Sequence, residues 1–407
     1  MGHRIWIVAL GLSLFSFGCS SDDSGGSPAS GGMAGASGSS SGGSGGAAGS
    51  GGGSGGATGG AGGSGGATGG AAGAAGSGGN PGVPEVRFVG RTDDSETGVV
   101  KMAWSGSGIL FRFDGTEASV TLDDPAGFWT VLVDGAEQPR LETQKGEQKY
   151  VVATGLAAGE HEVRMYRRTE ASFGATRYLG VDLGGGMLLP PPPPAAHRIE
   201  VIGDSITCGY GNEGADQYCN FSADTENHYI TYGAIAARNL NAEVVTVAWS
   251  GKGVIFNYGT DTNEPMPELY ERILPYSSTP AWDFSKWQPE VVVINLGTND
   301  YSTGGDPTDK QFTDAYVAFL ENIRQKNPNA LILAMVPTLL SGTDLSTAQK
   351  NVEAAVAARK SAGDSNVYSY FMSVTMDGWG CDWHPSAKTH AAMGASLTQE
   401  LKTRLGW

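Results

Sequence analysis

The sequence predicts an all-β sandwich of the jelly-roll type, followed by a three-layer α/β/α sandwich with a parallel sheet. Two kinds of apolar pattern lead to this fold class. Residues 86–184 hold short β-rich runs separated by Gly, Asp and Pro, which is typical of an antiparallel sandwich. Residues 198–405 alternate nearly continuous apolar runs with helical patterns, which indicates a parallel sheet with helices on both faces.

The first 19 residues resemble the export signal of a bacterial lipoprotein. A basic start leads into an apolar run over 5–17, too short to span a bilayer, and Gly18 then precedes Cys19. The resemblance implies that Cys19 is lipidated and becomes the first residue of the mature chain. We then expect a protein anchored at the cell surface or outer membrane, whereas an ordinary cleaved signal would give a secreted protein.

Residues 20–84 consist largely of Gly, Ser, Ala and Thr. Such a segment cannot bury enough apolar surface to offset the entropy of ordering, so we predict a flexible tether with a mean reach of roughly 40–45 Å. Three further parts are predicted after it: a β-sandwich over 85–188, a proline-rich spacer over 189–196 and the α/β domain over 197–407.

The charge balance narrows the possible partners. The chain carries 42 acidic and 26 basic residues, a formal net charge of −16. Nucleic acids and anionic membrane surfaces attract clusters of Lys and Arg, so we expect neither as a partner, apart from a membrane reached through the N-terminal lipid. No cluster of His, Cys and Asp has convincing zinc spacing. We therefore predict no metal, no cofactor, a neutral substrate and a monomer.

Eight β-rich runs make up the predicted sandwich, and a proline run follows them. The runs are VRFVG, VVKMAW, GILFRF, ASVTL, WTVLVDG, KYVVATG, HEVRMYR and RYLGVDLG. The segment MLLPPPPPAA then acts as a stiff spacer, since successive prolines favour extended polyproline II.

Five apolar runs and four helical patterns make up the second domain. The strands are RIEVIGD, EVVTVAW, PEVVVINLG, ALILAMVP and NVYSYFMS, and the helices are NHYITYGAIAARNL, KQFTDAYVAFLENIRQK, STAQKNVEAAVAARKSA and THAAMGASLTQELKTRL. Four polar segments follow strands: GDS, which contains Ser205, WSGKG over 249–253, LGTNDYS over 296–302 and GCDWHPSAKTH over 380–390. Because ligands bind at the carboxyl ends of parallel strands, we expect these segments to converge at one edge of the sheet.

The polar residues of these segments fit an ester hydrolase. Serine is a weak nucleophile until a base takes its proton, and His384 is the candidate base for Ser205, with its ring oriented by Asp382 or a nearby carbonyl. Attack on an ester carbonyl creates an oxyanion that needs preorganised donors. The N–H groups of Ser205 and Gly251 and the side-chain amide of Asn299 are the candidate donors.

This set resembles the SGNH, or GDSL-type, hydrolase superfamily, whose four marker residues match Ser205, Gly251, Asn299 and His384. The β-sandwich joined to such a domain, with GDSITCGYGNEG, TYGAIAARNL, SGKGV, LGTNDYS and DWHPS, is similar to carbohydrate esterase family 2 over roughly 86–407. The resemblance implies an SGNH-type fold and removal of acetyl groups from plant polysaccharides such as xylan and glucomannan, mainly at the 6-position, through an acyl-enzyme.

The chain departs from the superfamily at the residue that orients the histidine. An aspartate commonly lies three residues before the histidine, but Cys381 occupies that position and Asp382 lies two residues before His384. We expect the Asp382 carboxylate to bond the ring, and a Ser–His dyad helped by a backbone carbonyl stays open as the alternative.

Several other side chains adjoin the motifs. Trp249, Tyr301 and Trp383 are candidate substrate-binding residues that form a stacking wall for sugars, although aromatic residues are more often part of the core. We expect Asp204 and Asp300 to brace loops rather than take part in the chemistry.

The cysteines permit a disulfide in an exported chain. Cys208 and Cys219 would close a short loop and are a candidate pair, although pairing cannot be derived from the sequence.

Two alternative functions stay open. One is a hydrolase of lipid esters, thioesters or other small esters, which the polar segments NEGADQYCN and STGGDPTD beside the motifs do not favour. The other is a surface carbohydrate-binding lipoprotein with an inactive α/β domain, which the complete set of marker residues does not favour.

Overall fold

The structure is a computed structural model that describes residues 86–407. The predicted signal over 1–19, including Cys19, and the predicted tether over 20–84 lie outside the described residues. The described part folds as an antiparallel β-sandwich followed by an α/β domain with a parallel sheet, which confirms the predicted fold class.

The β-sandwich contains all eight predicted strands and four additional ones. Its strands are β1 Arg87–Val89, β2 Thr92–Asp93, β3 Val100–Met102, β4 Gly108–Gly115, β5 Ala118–Asp124, β6 Phe128–Val133, β7 Ala136–Glu137, β8 Leu141–Glu142, β9 Gly146–Ala153, β10 Gly159–Arg167, β11 Thr176–Asp182 and β12 Met187–Leu189. One sheet has the order β1-β4-β10-β6-β7, with β12 paired to β4 and β8 to β6, and the other has the order β2-β3-β11-β5-β9.

Alternation of burial explains why these runs form strands of a sandwich. In β5 the side chains of Ala118, Val120 and Leu122 are fully buried, and the residues between them are partly exposed, as expected when successive side chains point to opposite faces. They pack with residues such as Phe111 and Trp129 in one core between the two sheets.

The proline run contacts the sandwich at one point. Leu189 still belongs to β12, which pairs with β4. Pro192 is buried, and its carbonyl accepts a hydrogen bond from Nε of Arg87 at 3.1 Å. This bond joins the proline run to β1 of the sandwich.

The second domain has five parallel strands in the order β14-β13-β15-β16-β17. Their bounds are β13 His197–Gly203, β14 Ala242–Ala248, β15 Val291–Asn295, β16 Leu331–Met335 and β17 Val367–Tyr370. The three middle strands β13, β15 and β16 are buried almost throughout, because helices cover both faces of the sheet.

The α-helices of the described residues are four longer helices, which form the two outer layers, and three one-turn helices. They are α1 Ser205–Cys208, α2 Tyr232–Asn239, α3 Met266–Leu269, α4 Thr298–Tyr301, α5 Asp309–Lys326, α6 Gly342–Ser361 and α7 Ala387–Leu405. One face of the sheet packs against α2 and α7, and the other against α5 and α6. No helix within residues 86–407 is both long enough and apolar enough to cross a bilayer.

Short 3₁₀ turns connect these elements. They span Ala171–Phe173, Ala223–Thr225, His228–Ile230, Tyr258–Thr260, Phe284–Lys286 and Cys381–Trp383. The last of them lies just before His384 and positions it.

The sandwich and the α/β domain belong to one compact unit. Arg91 of the sandwich is fully buried, and its guanidinium bonds the Glu200 carboxylate on β13 at 2.9 Å and the Tyr270 carbonyl. The indole of Trp104 donates to the carbonyl of Ile273 at 2.8 Å. The two domains therefore share a buried interface.

Candidate active site

Ser205 begins α1, and only Asp204 separates it from the end of strand β13. Asp204 caps this helix, since its side chain accepts the N–H of Ile206 at 3.0 Å. Gly203 is required before it, because a Cβ there would lie 2.0 Å from Oγ1 of Thr207. This tight strand-to-helix turn presents the serine hydroxyl at the carboxyl edge of the sheet.

His384 meets Ser205 as the sequence predicts. Its Nε2 lies 2.8 Å from Oγ of Ser205. Its Nδ1 lies 3.0 Å from the main-chain carbonyl oxygen of Asp382. A carbonyl oxygen only accepts hydrogen bonds, so Nδ1 carries the proton and Nε2 is free to take the proton of the serine hydroxyl.

The Asp382 carboxylate does not bond the histidine ring, contrary to the sequence-based expectation. It accepts hydrogen bonds from the Tyr210 hydroxyl and from the Phe221 N–H, each at 3.0 Å. The physical reason is the backbone: Asp382 and Trp383 have positive φ values of 51° and 62°. This left-handed turn directs a carbonyl, and not the carboxylate, at His384.

The disulfide also differs from the candidate pair. Cys219 is bonded to Cys381, and Cys208 is a buried free cysteine. Cys208 lies on α1, whose residues are all buried, whereas Cys219 lies in a loop that runs beside the turn before His384. A Cβ on Gly214 would come within 2.4 Å of the Cys381 sulfur, so the bridge is closely packed.

The surroundings of His384 keep its ring neutral. Desolvation by the packed protein lowers the pKa of His384 to about 4, although the carbonyl and carboxylate of Asp382 act in the opposite direction. The Tyr210 ring lies against the imidazole with the ring centroids 4.3 Å apart. A neutral imidazole is the form that can accept a proton from serine.

The predicted oxyanion donors converge on the same edge. Gly251 adopts φ +81°, a conformation that favours glycine. Among residues 86–407, no hydrogen-bond acceptor is paired with the N–H of Ser205 or of Gly251. Asn299 donates one amide hydrogen to the carbonyl of Lys252 at 2.8 Å, which orients its amide and leaves the second hydrogen for a ligand.

Asp300 braces the loop next to these donors. Its carboxylate accepts the main-chain N–H groups of Val254, Ile255 and Phe256, each at 2.9 Å. With the cap at Asp204, the structure therefore gives both aspartates the bracing role that the sequence predicts.

The three candidate stacking residues have different environments. Trp383 is 47 % exposed and lies beside Trp379 and beside Tyr218, which is 75 % exposed. Trp249 is half-buried against the core. Tyr301 is only 1 % exposed and accepts a hydrogen bond from the Asn351 amide at 3.0 Å, so its assignment as a substrate-binding residue is wrong: α4 turns its side chain into the core.

Sequence reasoning missed three residues at the site. Tyr210 packs on His384, Tyr218 extends the exposed aromatic surface, and Glu170 bonds the loop that carries Gly251. The glycine-flanked Tyr210 of GYGNEG, five residues after Ser205, was a usable signal. Glu170 had none, because it comes from the other domain.

Two family models match the chain. "Carbohydrate esterase 2 N-terminal" matches residues 88–193, and "GDSL-like Lipase/Acylhydrolase family" matches residues 201–392. Together they cover the β-sandwich and most of the α/β domain.

Individual proteins and solved structures that are similar to the chain are also named as esterases. The chain is 42 % identical over 328 residues to the cellulase/esterase CelE of Acetivibrio thermocellus; the match covers 80 % of this chain but 40 % of CelE. It is 26 % identical to an acetylxylan esterase / glucomannan deacetylase of Cellvibrio japonicus, covering 80 % of this chain and 90 % of that protein. A solved family two carbohydrate esterase from Clostridium thermocellum in complex with cellohexaose has 41 % identity and a TM-score of 0.76, covering 79 % of this chain and 100 % of that one.

Proposed function

Because the chain belongs to carbohydrate esterase family 2, we propose that it is a carbohydrate O-acetyl esterase that acts through a Ser–His pair and an acetyl-enzyme. The observation that carries the proposal is the 2.8 Å contact between Oγ of Ser205 and Nε2 of His384. It lies beside main-chain N–H groups that are free to bind an oxyanion.

Acylation follows from this geometry. Nε2 of His384 takes the hydroxyl proton while Oγ of Ser205 attacks the acetyl carbonyl carbon, and the carbonyl oxygen becomes an oxyanion. The N–H groups of Ser205 and Gly251 and the amide of Asn299 stabilise that charge. The intermediate then expels the sugar oxygen, which takes the proton from His384, and the acetyl group remains on Ser205.

Deacylation repeats the same steps with water. His384 takes a proton from a water molecule, whose oxygen attacks the acetyl carbonyl, and the same donors bind the second oxyanion. Collapse returns the proton to Oγ of Ser205 and releases acetate.

We further propose that the substrate is an acetylated plant polysaccharide, attacked mainly at a primary 6-hydroxyl. Three observations support a neutral acetylated polysaccharide. The Cellvibrio japonicus relatives are named acetylxylan esterase / glucomannan deacetylase. The exposed rings of Trp383 and Tyr218 offer flat apolar surfaces suited to sugar rings. The chain also has no excess of positive charge for an anionic polymer.

Acetate release tests the proposal. Wild type and Ser205→Ala are compared on acetylated xylan, acetylated glucomannan and 6-O-acetylglucose, with NMR of the products to identify the position attacked. We expect Ser205→Ala to be inactive and folded by circular dichroism, while the exposed control Ser361→Ala keeps wild-type rates. Release of acetate by folded Ser205→Ala at the wild-type rate would refute the nucleophile assignment.

We also propose that Cys19 carries a lipid and holds the enzyme at the cell surface, since residues 5–17 and Gly18 precede it in the pattern of a lipoprotein signal. Mass spectrometry of the mature N-terminal peptide tests this. A diacylglyceryl cysteine at position 19 is expected, and an unmodified cysteine or cleavage elsewhere contradicts the anchor.

A further inference from the structure

One buried carboxylate of the β-sandwich contacts the active-site loop of the other domain. Glu170 follows β10 and is 2 % exposed. Its Oε2 accepts the main-chain N–H of Ser250 at 2.7 Å. Ser250 directly precedes Gly251, whose N–H is a proposed oxyanion donor, so the sandwich contacts the donor loop one residue before the donor itself.

Among the main-chain N–H bonds of residues 249, 250 and 252, the Glu170 contact is the shortest. After the donor, the loop is also held by the Tyr258 N–H on the Gly251 carbonyl and by the Asn299 amide on the Lys252 carbonyl, each at 2.8 Å. The N–H of Trp249 reaches the Gly203 carbonyl at 3.4 Å, and the N–H of Lys252 reaches the Trp249 carbonyl at 3.3 Å. Both distances exceed the usual range of about 2.7–3.2 Å for N–H···O bonds. The bond from Ser250 to Glu170, at 2.7 Å, is shorter than both.

Glu170 is itself held firmly on both its side chain and its main chain. Its Oε1 accepts the hydroxyl of Ser172 at 2.9 Å. Its N–H donates to Oε2 of Glu226 at 2.9 Å, and its carbonyl accepts Nη2 of the fully buried Arg167 at 3.2 Å. The carboxylate is therefore preorganised before it receives the N–H of Ser250.

Glu170 belongs to a buried cluster of ionisable side chains. Glu170, Glu226 and the Cys208 thiol bring their side-chain O and S atoms within 4.8 Å of one another in a fully buried cluster. Burial, and then repulsion from Glu170, raises the pKa of Glu226 well above its usual range. Burial also raises the pKa of Glu170, but the hydrogen bonds from Ser250 and Ser172 oppose that rise. The hydrogen bonds that Ser250 and Ser172 donate therefore act in favour of the carboxylate form of Glu170.

We propose that Glu170 is a positioning residue for ester hydrolysis. It holds the peptide group between Trp249 and Ser250, and this fixes the next peptide group so that its Gly251 N–H points at the oxyanion. The inference rests on the proposed function. It makes the sandwich part of the construction of the active site. Loss of one oxyanion donor typically costs about 10²–10³ in kcat, and a donor that is present but displaced should cost a fraction of that.

Two variants of similar size separate the acceptor from mere packing. Glu170→Gln keeps a carbonyl oxygen for the Ser250 N–H, and Glu170→Met keeps the volume without any acceptor. On p-nitrophenyl acetate we expect Glu170→Met to lower kcat by about 10–100-fold with KM within about threefold, and Glu170→Gln to stay within about threefold of wild type.

A matched control uses a neighbouring carboxylate at the same interface. Glu213 bonds Arg168 of the sandwich and does not contact the loop over 249–252. Glu213→Gln is therefore the same chemical change at the domain interface, at a carboxylate without a hydrogen bond to the oxyanion loop, and its kcat should stay within about twofold of wild type.

The outcomes are distinct. The proposal is overturned if folded Glu170→Met keeps kcat within about threefold of wild type, or if Glu170→Gln loses as much as Glu170→Met. Hydrogen exchange of the wild-type protein provides a test that needs no variant: the Ser250 amide should be protected, and exchange at the rate of an exposed amide also overturns the proposal. If wild type hydrolyses p-nitrophenyl acetate but no acetylated glycan, the proposed substrate is wrong. The kcat values of the Glu170 variants on p-nitrophenyl acetate still test the positioning role of Glu170.

Discussion

The ring of His384 is oriented by a main-chain carbonyl, and this has consequences for its neighbours. A carbonyl fixes the tautomer of the ring. Unlike a carboxylate, it places no formal negative charge beside the imidazolium that forms during attack. The carboxylate of Asp382 instead holds Tyr210 and the N–H of Phe221. Its role is to shape the wall around the ring.

We therefore expect Asp382→Asn to lose less than about tenfold in kcat, whereas His384→Ala loses about 10²–10⁴. Asparagine keeps the backbone carbonyl, retains a side-chain oxygen as an acceptor and tolerates a positive φ. Turnover of both variants on one soluble acetyl ester decides this. A loss for Asp382→Asn as large as that for His384→Ala would instead indicate a triad.

The pH profile of kcat/KM should show an acidic limb with an unusually low pKa. Because burial lowers the pKa of His384 to about 4, the neutral form persists well below the usual pKa of 6.5. The activity that depends on the neutral ring is complete above this pKa and is lost as pH falls through about 4. Measurement of kcat/KM against pH on an uncharged ester tests this, and an acidic limb centred near 6.5 would contradict it.

The sequence predicted which residues meet at the site, but not which of their atoms do. Ser205 and His384 could be predicted because each follows a recognisable strand in a recognisable motif. The carbonyl of Asp382 could not, since it depends on a left-handed backbone at a residue that is not glycine. Tyr301 was assigned wrongly because adjacency to Asn299 on a one-turn helix does not determine the side on which its ring lies.

At the level of elements, the disulfide joins the loop around Cys219 to the turn that carries His384. The main chain follows the same path, since the N–H of Asp382 donates to the carbonyl of Cys219 at 3.1 Å and the N–H of Cys381 donates to that of Gly211 at 2.9 Å. The bridge closes a sequence separation of 162 residues. The bridge therefore fixes the turn before His384 against a loop that is distant in the sequence.

We expect Cys219→Ser to lower the free energy of unfolding by up to about 5 kcal/mol, because closure of a long loop restricts the unfolded chain. It should also lower kcat, since the turn before His384 loses a covalent restraint. Urea unfolding and turnover on p-nitrophenyl acetate measure the two effects. Cys208→Ala is the control, because Cys208 forms no disulfide. This variant keeps the bridge, so dithiothreitol should still lower its stability and kcat. Equal effects of Cys219→Ser and Cys208→Ala would contradict the role of the bridge.

Element types were predictable from period and composition, whereas some boundaries depended on local caps. The run NHYITYGAIAARNL reads as one helix, but the structure places a 3₁₀ turn at His228–Ile230 before α2 begins at Tyr232. Asn227 caps the turn through the N–H of Tyr229, and Thr231 adopts an extended conformation between turn and helix. Two successive caps in one apolar pattern divide it into two elements.

At the level of the whole molecule, the sandwich is joined to the α/β domain by a buried ion pair. Arg91 and Glu200 have side chains 0 % and 2 % exposed, and the Tyr270 hydroxyl donates to Glu200 at 2.8 Å. Glu200, the one acidic residue within β13, was the sequence signal. The partner of Glu200 could not be identified from the sequence, because Arg91 is 109 residues away and lies in the other domain.

This pair predicts that the two domains unfold together. Arg91→Met should lower the free energy of unfolding by roughly 3–5 kcal/mol, because Glu200 is left buried without its partner. The double variant Arg91→Met with Glu200→Leu should recover much of that loss, since an apolar replacement of a buried pair is often neutral. Urea unfolding followed by tryptophan fluorescence should give a single transition for each protein, and kcat on p-nitrophenyl acetate should stay within about threefold of wild type because neither residue contacts the site. Two separate transitions in wild type, or a loss below about 1 kcal/mol for Arg91→Met, would mean that the sandwich and the α/β domain are stable independently of this contact.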